Sequence, residues 1–474
     1  MNITPRTPKR PLLWSDFILD LQDIFLEWNT PCYIVGGAVR DAWLRYPIHD
    51  IDLATPKDAI GLARRLTNRL NADIYIMDDV RDVARVWVKH DDITLHIDIA
   101  RFRGDSLADD LSDRDFTINA MAVDMLGDIN LLIDPLNGET DLDTHVIRQC
   151  NPQSIQNDPV RGIRAVRQSI GLSARITPDT LSAIRTYANT INNVSSERVR
   201  DEFIKLLSLP RPHSAIRILE TVGLLGHIIP QIGALYTQKP SPYTNDGWSH
   251  TLLTIEKLYG VYMTISPQRT DSTAAVFDLG MMVTALDIYR KQLQAHILSE
   301  WANDRPHKAL LILGGLLHLL PSDEVDTIAT ALRLSNDEKK RLMMMVSAYA
   351  DLPNIALEPL PLHYFWRKYG DAGIDAVLLS LAYYLAYENI HIQQDAWLKR
   401  LEHNQHLLGA YFVYYDQIVN PPPLLTGDDL VMQFGLSPGK HIGKLLTMLR
   451  EAQVLGQIHN PDEAMAYIKP IIES

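Results

Sequence analysis

Apolar residues recur three and four apart across "LWSDFILDLQDIFLEW" (13–28), which predicts an amphipathic first helix. The period then changes. "CYIVGG" is a short apolar, partly β-branched run closed by two glycines, and reads as a strand ending in a turn. "AVRDAWLRY" returns to helical spacing, "DIDLAT" alternates as a strand, and "AIGLARRLTNRLN" is helical again. "ADIYIM", "ARVWVKH" and "TLHIDIARF" follow as three strands, so a small sheet with early helices is expected up to about residue 150. From about 155 helical spacing runs nearly to the C-terminus. Its breaks fall at "LPRPH" (209–213), "QKPSPYTNDG" (238–247), "LPNIALEPLPL" (352–362) and "NPPPLL" (420–425), the expected joints between domains. There is no fixed-period repeat and no low-complexity tract.

Composition changes this picture in only a few ways. A chain of 474 residues with 46% hydrophobic and 22% charged residues has material for several cores, roughly two to four domains. The most apolar run, "ALLILGGLLHLL" (309–320), is too short for a bilayer and carries His318, so it reads as a buried helix and no membrane partner is expected. The start, "MNITPRTPKRPLLW", lacks the apolar segment of a signal peptide. Cys32 and Cys150 are too few for a disulfide framework, which points to a reducing, cytoplasmic setting. The net charge of −13 excludes a general polyanion coat but leaves room for a local basic groove.

Candidate chemistry begins at "YIVGGAVRDAWLRYPIHDIDLATP". Gly36-Gly37 at a strand end bares the backbone where adjacent N–H groups can cradle phosphate. Asp50 and Asp52 are two apart, so on a strand both side chains share one face and can hold hard divalent cations such as Mg²⁺. Arg40 adds a positive charge for the same phosphates. In "LADDLSDRDFTINAMAVD" the Arg114-Asp115 pair, with Asn119 beyond, can fix a nucleotide through phosphate and ribose, or simply start a salt-bridged helix. In "NDPVRGIRAVRQSIGL" Asp158 and Arg161 are one helical turn apart, and Arg164 and Arg167 continue the stripe. Between Arg148 and Lys205 nine Lys/Arg, Arg198 and Arg200 among them, face five Asp/Glu. That makes this the expected polyanion-facing segment.

The stretches "GGAVRD", "DID", "RDFTINAMA", "IDPLNGETDL", "NDPVRGIRAVR" and "SSERVRDEF" resemble, in order and spacing, the class II tRNA nucleotidyltransferase and bacterial poly(A) polymerase family. The likeness is dense over about 30–210 and thinner through "LLTGDDLVMQFGLSPGKHIGKLL" (424–446). It implies an α+β fold: a nucleotidyltransferase head with a mixed sheet (1–150), then an all-α neck (151–240), body (241–420) and tail (421–474). It further implies transfer from CTP or ATP to the 3′-end of tRNA, with Asp50 and Asp52 binding two Mg²⁺ ions. Gly36 and Gly37 would hold the triphosphate, with Arg40. Arg114, Asp115 and Asn119 would place sugar and phosphates. Asp158 and Arg161 would read the base edge, Arg164 and Arg167 would extend the nucleotide site, and Arg198 and Arg200 would face RNA.

Several positions depart from the family pattern. Asn157 stands where a Glu is frequent, and Asp113 where a first Arg is frequent. Asp98, in "LHIDIAR", is a candidate third carboxylate. Enzymes of the family that add the terminal A carry a longer mobile loop before "LADDL", whereas here only a short connection joins Arg103 to Leu107. This fits a cytidine-only enzyme, unless "MDDVRDVARV" (77–86) replaces the loop. The second half resembles a degenerate HD-type domain: His250 is present, but the His-Asp pair reads His318-Leu319, so a structural role is expected. The alternatives are a poly(A) polymerase, whose branch carries basic tails unlike "AMAYIKPIIES", and an HD-type metal phosphohydrolase, which needs the missing aspartate.

Overall fold

The computed structural model describes residues 4–90, 93–270 and 277–473. Met1–Ile3 and Ser474, the outer ends of the two terminal stretches quoted above, lie outside it. The chain packs as two compact units, Met1–Glu202 with Ile218–Ile228, and Phe203–Arg217 with Ile229–Ser474.

In the first unit, helix α1 (Asp16–Trp28) buries Phe17, Ile18, Leu21, Ile24 and Phe25, the stripe its spacing predicts. The sheet has six strands: β1 (Tyr33–Val35), β2 (Asp50–Thr55), β3 (Asp73–Asp78), β4 (Val83–His90), β5 (Ile93–Arg101) and β6 (Ala122–Asp124). Their spatial order is β3-β4-β5-β2-β1-β6. β2 and β5 run parallel while the other neighbours are antiparallel, so the sheet is mixed. Helix α2 (Gly37–Leu44) joins β1 to β2, and α3 (Ala59–Leu70) joins β2 to β3.

Strand pleating separates two chemistries across this sheet. On β2, Ile51 and Leu53 are buried while Asp50 and Asp52 turn to the opposite face. The register Asp50↔His96 and Asp52↔Asp98, then Arg85↔Asp98 and Trp87↔His96, puts all six side chains on that face. The reverse face carries Ala84, Val86, Ile97 and Ile99, fully buried. Against it lies α3, which contributes Ile60, Leu62, Ala63 and Leu66.

The chain then turns from β5 into α4 (Leu107–Ser112), passes through β6, and continues as α5 (Gly138–Asp143), α6 (Ser154–Asn157), α7 (Val160–Gly171), α8 (Pro178–Tyr187) and α9 (Ser196–Leu207). Two short strands, β7 (Val146–Ile147) and β8 (Arg175–Ile176), pair in parallel between them. Helix α7 buries Val160, Ile163, Ala165 and Val166, so its apolar face lies in the core of this unit.

The second unit is helical. Its long helix Asp371–Glu388 is buried nearly all round, and the helices Gly247–Ile265 and Asn336–Asp351 pack on it. Three further helices, Gly427–Phe434, Lys440–Val454 and Pro461–Glu473, share a small core of Leu430, Ile442, Leu449, Ala464 and Ile468. "ALLILGGLLHLL" lies in the helix His307–Leu317 and just after it, almost wholly buried, as expected. Among the described residues no helix is long and apolar enough to cross a membrane.

A buried carboxylate fastens the N-terminal strap to the first unit. Glu139, fully buried, accepts from Arg6 Nη1 (2.5 Å), Lys9 N (2.5 Å) and Trp43 Nε1 (3.0 Å). Glu139→Ala leaves Lys9 N and Trp43 Nε1 without their acceptor, while the half-exposed Arg6 keeps Asp134 Oδ2 (3.0 Å). The expected cost is about 1–3 kcal/mol. Urea unfolding followed by tryptophan fluorescence measures it; a loss below about 1 kcal/mol would show that the strap contributes little.

Candidate active site

Val35 ends β1, Gly37 begins α2, and Gly36 joins them at φ +78°, ψ −136°. A Cβ on Gly36 would lie 2.9 Å from both Arg114 Nη1 and Asp52 Oδ2, so only a bare backbone fits where guanidinium and carboxylate converge. The N–H of Gly36 is donated to the Met121 carbonyl (3.2 Å). The donors left for an anion are therefore those of the first turn of α2, Gly37, Ala38 and Val39, which have no intrahelical acceptor.

Asp50 is exposed, with His96 Nδ1 3.4 Å from its Oδ1. Burial pushes the Asp52 carboxyl above the ordinary carboxylate range; Arg114 pulls it down, and Asp98 and Asp50 push it up again. Asp98 shares the face, as its candidacy for the site required, but Arg85 holds both of its oxygens (Nε–Oδ1 2.6 Å, Nη2–Oδ2 2.7 Å). The set fits a hard divalent cation: carboxylate oxygens on a rigid strand, one of them so buried that it binds a proton more readily than normal.

The remaining predicted residues divide into those that face this turn and those that support it. Arg114 gives Nε and Nη2 to Asp110 Oδ2 (both 3.0 Å), which leaves Nη1 at the Gly36 turn. Arg40 folds back on its own helix: Nε and Nη2 bind Asp41, and Nη1 donates to Asn119 Oδ1 (2.7 Å). Asn119 Nδ2 in turn donates to Asp115 Oδ1 (3.0 Å). Asp115 is buried and accepts Arg164 Nη1 on its other oxygen (3.0 Å). Burial alone would push its carboxyl up, yet Arg164 and Asn119 hold it below the ordinary range.

Arg164 Nε and Arg167 Nε both donate to Glu202, at 3.0 and 2.9 Å. Arg161 is buried, and its guanidinium reaches the carbonyls of Asp113 (2.8 Å) and Arg114 (3.2 Å) and Ser154 Oγ (2.8 Å). Asp158 Oδ2 accepts from Arg198 Nη2 (2.7 Å), and Arg200 Nε donates to Asp201 (2.8 Å). Of the cations counted in the sequence, Arg161, Arg164 and Arg167 on α7 are drawn into internal pairs, while Arg148, Arg175, Arg185, Arg198 and Lys205 are exposed. Counting charge along the chain could not reveal which cations are paired inward, because Asp115 and Glu202 come from other elements.

Sequence reading missed Arg85, Asp110 and Glu202. The Asp110–Arg114 spacing of four was a usable signal on a helix. Arg85 became legible only once β4 and β5 were in register, and Glu202 lies too far along the chain for any local pattern.

In the second unit His250 and His318 face each other, ring centroids 6.4 Å apart, with Tyr383 against both. Burial holds both rings neutral, at about 4 for His250 and about 3 for His318. Among the described residues the metal-type cluster lies elsewhere: His296 and His307 each place Nε2 2.7 Å from Asp375 Oδ1. There Arg341 Nε donates to Asp375 Oδ2 (2.6 Å), and its Nη2 lies 3.3 Å from His296 Nε2, where a cation would have to sit. The cluster is a hydrogen-bonded core.

Three family models match the chain: the poly A polymerase head domain at 32–148, the RNA and SrmB binding site of polymerase A at 175–235, and tRNA nucleotidyltransferase domain 2 at 311–468. A CC-adding tRNA nucleotidyltransferase of Synechocystis is 28% identical, over 93% of this chain and 94% of the relative. An A-adding tRNA nucleotidyltransferase of Deinococcus radiodurans is also 28% identical, over 92% and 94%. In fold the chain is similar to the Thermotoga maritima CCA-adding enzyme complexed with tRNA_CCA, at TM-score 0.62 and 21% identity over the whole of both chains.

Gly36→Ala is expected to lose about 1–3 kcal/mol to backbone strain, and to bind CTP more weakly because Arg114 or Asp52 must move. A variant with parental unfolding midpoint and parental CTP affinity would contradict the close approach. A second expectation concerns pH. His250 and His318 have folded pKa values far below the ordinary 6.5, so the unfolded chain binds their protons more tightly. The stability they confer is complete above 6.5 and falls as pH drops from there toward 4, by about 1.4 kcal/mol per pH unit per ring. Urea midpoints at pH 7.5 and 5 should therefore differ less in His318→Leu than in the parent protein; equal losses would rule out the histidine contribution.

Proposed function

We infer the reaction from a firm premise: the chain belongs to the family of tRNA nucleotidyltransferases and poly(A) polymerases. It is a tRNA 3′-end nucleotidyltransferase, acting in the cytoplasm, which transfers cytidylate from CTP and stops before the terminal A. The observation that carries this reading is the convergence of Asp52, Arg114 and the first turn of α2 at Gly36, with Asp158 linked to it through Arg161.

Asp50 and Asp52 would hold two Mg²⁺ ions, which supply charge that activates the RNA 3′-hydroxyl and neutralises the departing pyrophosphate. The α2 start and Arg114 Nη1 orient the triphosphate, so that the 3′-oxygen meets the α-phosphorus and the bond to the β-phosphate oxygen breaks. Asp110 keeps Arg114 aimed at this point. Asp115 and Asn119 fix the turn behind it through Arg164 and Arg40.

The connection from β5 to α4 supports the cytidine-only reading. Gly104 adopts φ +115° in a tight turn, and Ser106 Oγ caps α4 by accepting from Asp109 N (3.2 Å). Asp110 Oδ1 also accepts from Arg103 N (3.1 Å). A segment tied at each step cannot act as a lever that reshapes the pocket for a larger base.

Terminal sequencing of a tRNA ending at its discriminator base, after reaction with CTP and ATP together, should find ends in CC. Asp52→Ala should leave the tRNA unextended while its unfolding midpoint is preserved. Efficient CCA ends would overturn the cytidine-only reading, and near-parental extension by Asp52→Ala would overturn the metal assignment.

A further inference from the structure

The polar face of the sheet does not stop at its carboxylates. Across β2, β5, β4 and β3 the registers align Asp50, His96, Trp87 and Asp73 in one row. They align Asp52, Asp98, Arg85 and Tyr75 in the next. Over β4 and β3 this face turns aromatic. Trp87 and Tyr75 are diagonal neighbours on adjacent strands, their rings nearly parallel, with centroids 6.2 Å apart and 18° between planes. Trp87 is 38% exposed and Tyr75 57%. Large rings kept in water forgo much of the free energy that burial would give them, so folding alone does not account for the pair.

Their place beside the carboxylates gives them a use. On one side of β2 lies β1, which ends in the Gly36 turn where Arg114 converges, the position assigned above to the triphosphate. In phosphoryl transfer the attacking and leaving oxygens lie roughly in line, so the RNA 3′-end approaches from the other side, over β5 and β4. Trp87 stands there, two strands from Asp50, about 10 Å at the usual strand spacing, with His96 between them. The RNA end also changes during the reaction. The discriminator base differs among tRNAs, and each addition leaves a new terminal base. A hydrogen-bonded pocket would accept one of these bases and reject the next, whereas stacking tolerates all of them, because every base has a π-face.

We propose that Trp87, supported by Tyr75, is the platform on which the 3′-terminal base of the acceptor RNA stacks. This rests on the nucleotidyltransfer reading above and deepens it, by naming residues that hold the second substrate. Neighbouring strands of one sheet then carry the two reactants: the triphosphate lies at the end of β1, and the RNA end over β4, with the β2 carboxylates between them. Tyr75 is a positioning residue that fixes the plane of the indole.

The test uses two acceptor tRNAs, one with an intact and one with an abasic 3′-terminal nucleotide, and the variants Trp87→Ala, Trp87→Phe and Tyr75→Ala. Trp87→Ala should raise KM for the intact tRNA about 10-fold, with KM for CTP and the urea midpoint unchanged. Trp87→Phe should recover most of the loss, and Tyr75→Ala should show a smaller one. The abasic end should cost the parent protein a similar factor and cost Trp87→Ala nothing further. Without CTP, the intact tRNA should quench part of the tryptophan fluorescence of the parent, and that part should be missing in Trp87→Phe. Three outcomes would overturn the proposal: an unchanged KM for tRNA in Trp87→Ala, equal losses with intact and abasic ends, or a loss confined to KM for CTP. A parent protein that extends no tRNA would refute the underlying reaction, and the fluorescence comparison would still decide whether Trp87 holds the RNA end.

Discussion

One buried cation organises the catalytic unit. The Arg161 guanidinium projects from α7 and is satisfied by backbone carbonyls of Asp113 and Arg114 and by Ser154 Oγ. Each such charge-assisted bond contributes about 1.5–3 kcal/mol net, and leaving the cation unpartnered would cost more than it contributes. The two carbonyls belong to the residues just before Asp115, so the turn that delivers Arg114 to Gly36 has a single fixed position relative to the neck helix. Move that turn, and Arg114, Asp52 and Asp158 lose their common reference.

The same economy of charge explains why an acidic protein can handle a polyanion. Its arginines do not form an open basic surface along α7. Arg164 and Arg167 converge on Glu202, Arg164 also on Asp115, and Arg40 on Asp41. Each pairing is partly desolvated, so it fixes geometry more firmly than an exposed pair, whose worth is about 0–1 kcal/mol. The Asp52 carboxyl shows the other side of this arrangement. Burial raises it against the pull of Arg114, with Asp98 and Asp50 adding to the rise, and the positive charge of a divalent ion would reverse that balance.

Local periodicity made most of the first unit legible: α1 to α3 and β1 to β5 follow from spacing of 3.6 or 2 with glycine and asparagine punctuation. The strands β6, β7 and β8 are two or three residues long, too short for a pattern to register, and exist because neighbours supply the missing edge. At the site, residue types and spacing revealed the Gly36 turn, the Asp50/Asp52 face and the Asp158 junction. The partners of Arg161 and Arg164 were not legible. Backbone carbonyls carry no sequence signal, and Glu202 is 38 residues from Arg164. In the second unit the missing aspartate after His318 was readable, whereas the His296–Asp375–His307 cluster joins residues up to 79 apart and appears only in the fold.

Rigidity is the property that links these features to selectivity. Pro159 fixes the backbone of Asp158, Arg161 fixes the turn before Asp115, and Ser106 and Asp110 fix the connection into α4. A site with one shape discriminates by leaving polar groups unpaired when the wrong base enters, and each unpaired buried group costs about 1–3 kcal/mol. A site that must accept two bases in succession needs a second arrangement within a few kcal/mol of the first, and an element that moves between them. Here the Asp158 junction, the turn before Asp115 and the connection into α4 are each held by a partly buried hydrogen bond or a constrained dihedral. On the cytidine-only reading proposed above, the constraints that would make the pocket accurate for one pyrimidine are therefore the ones that would keep it from changing shape for a purine.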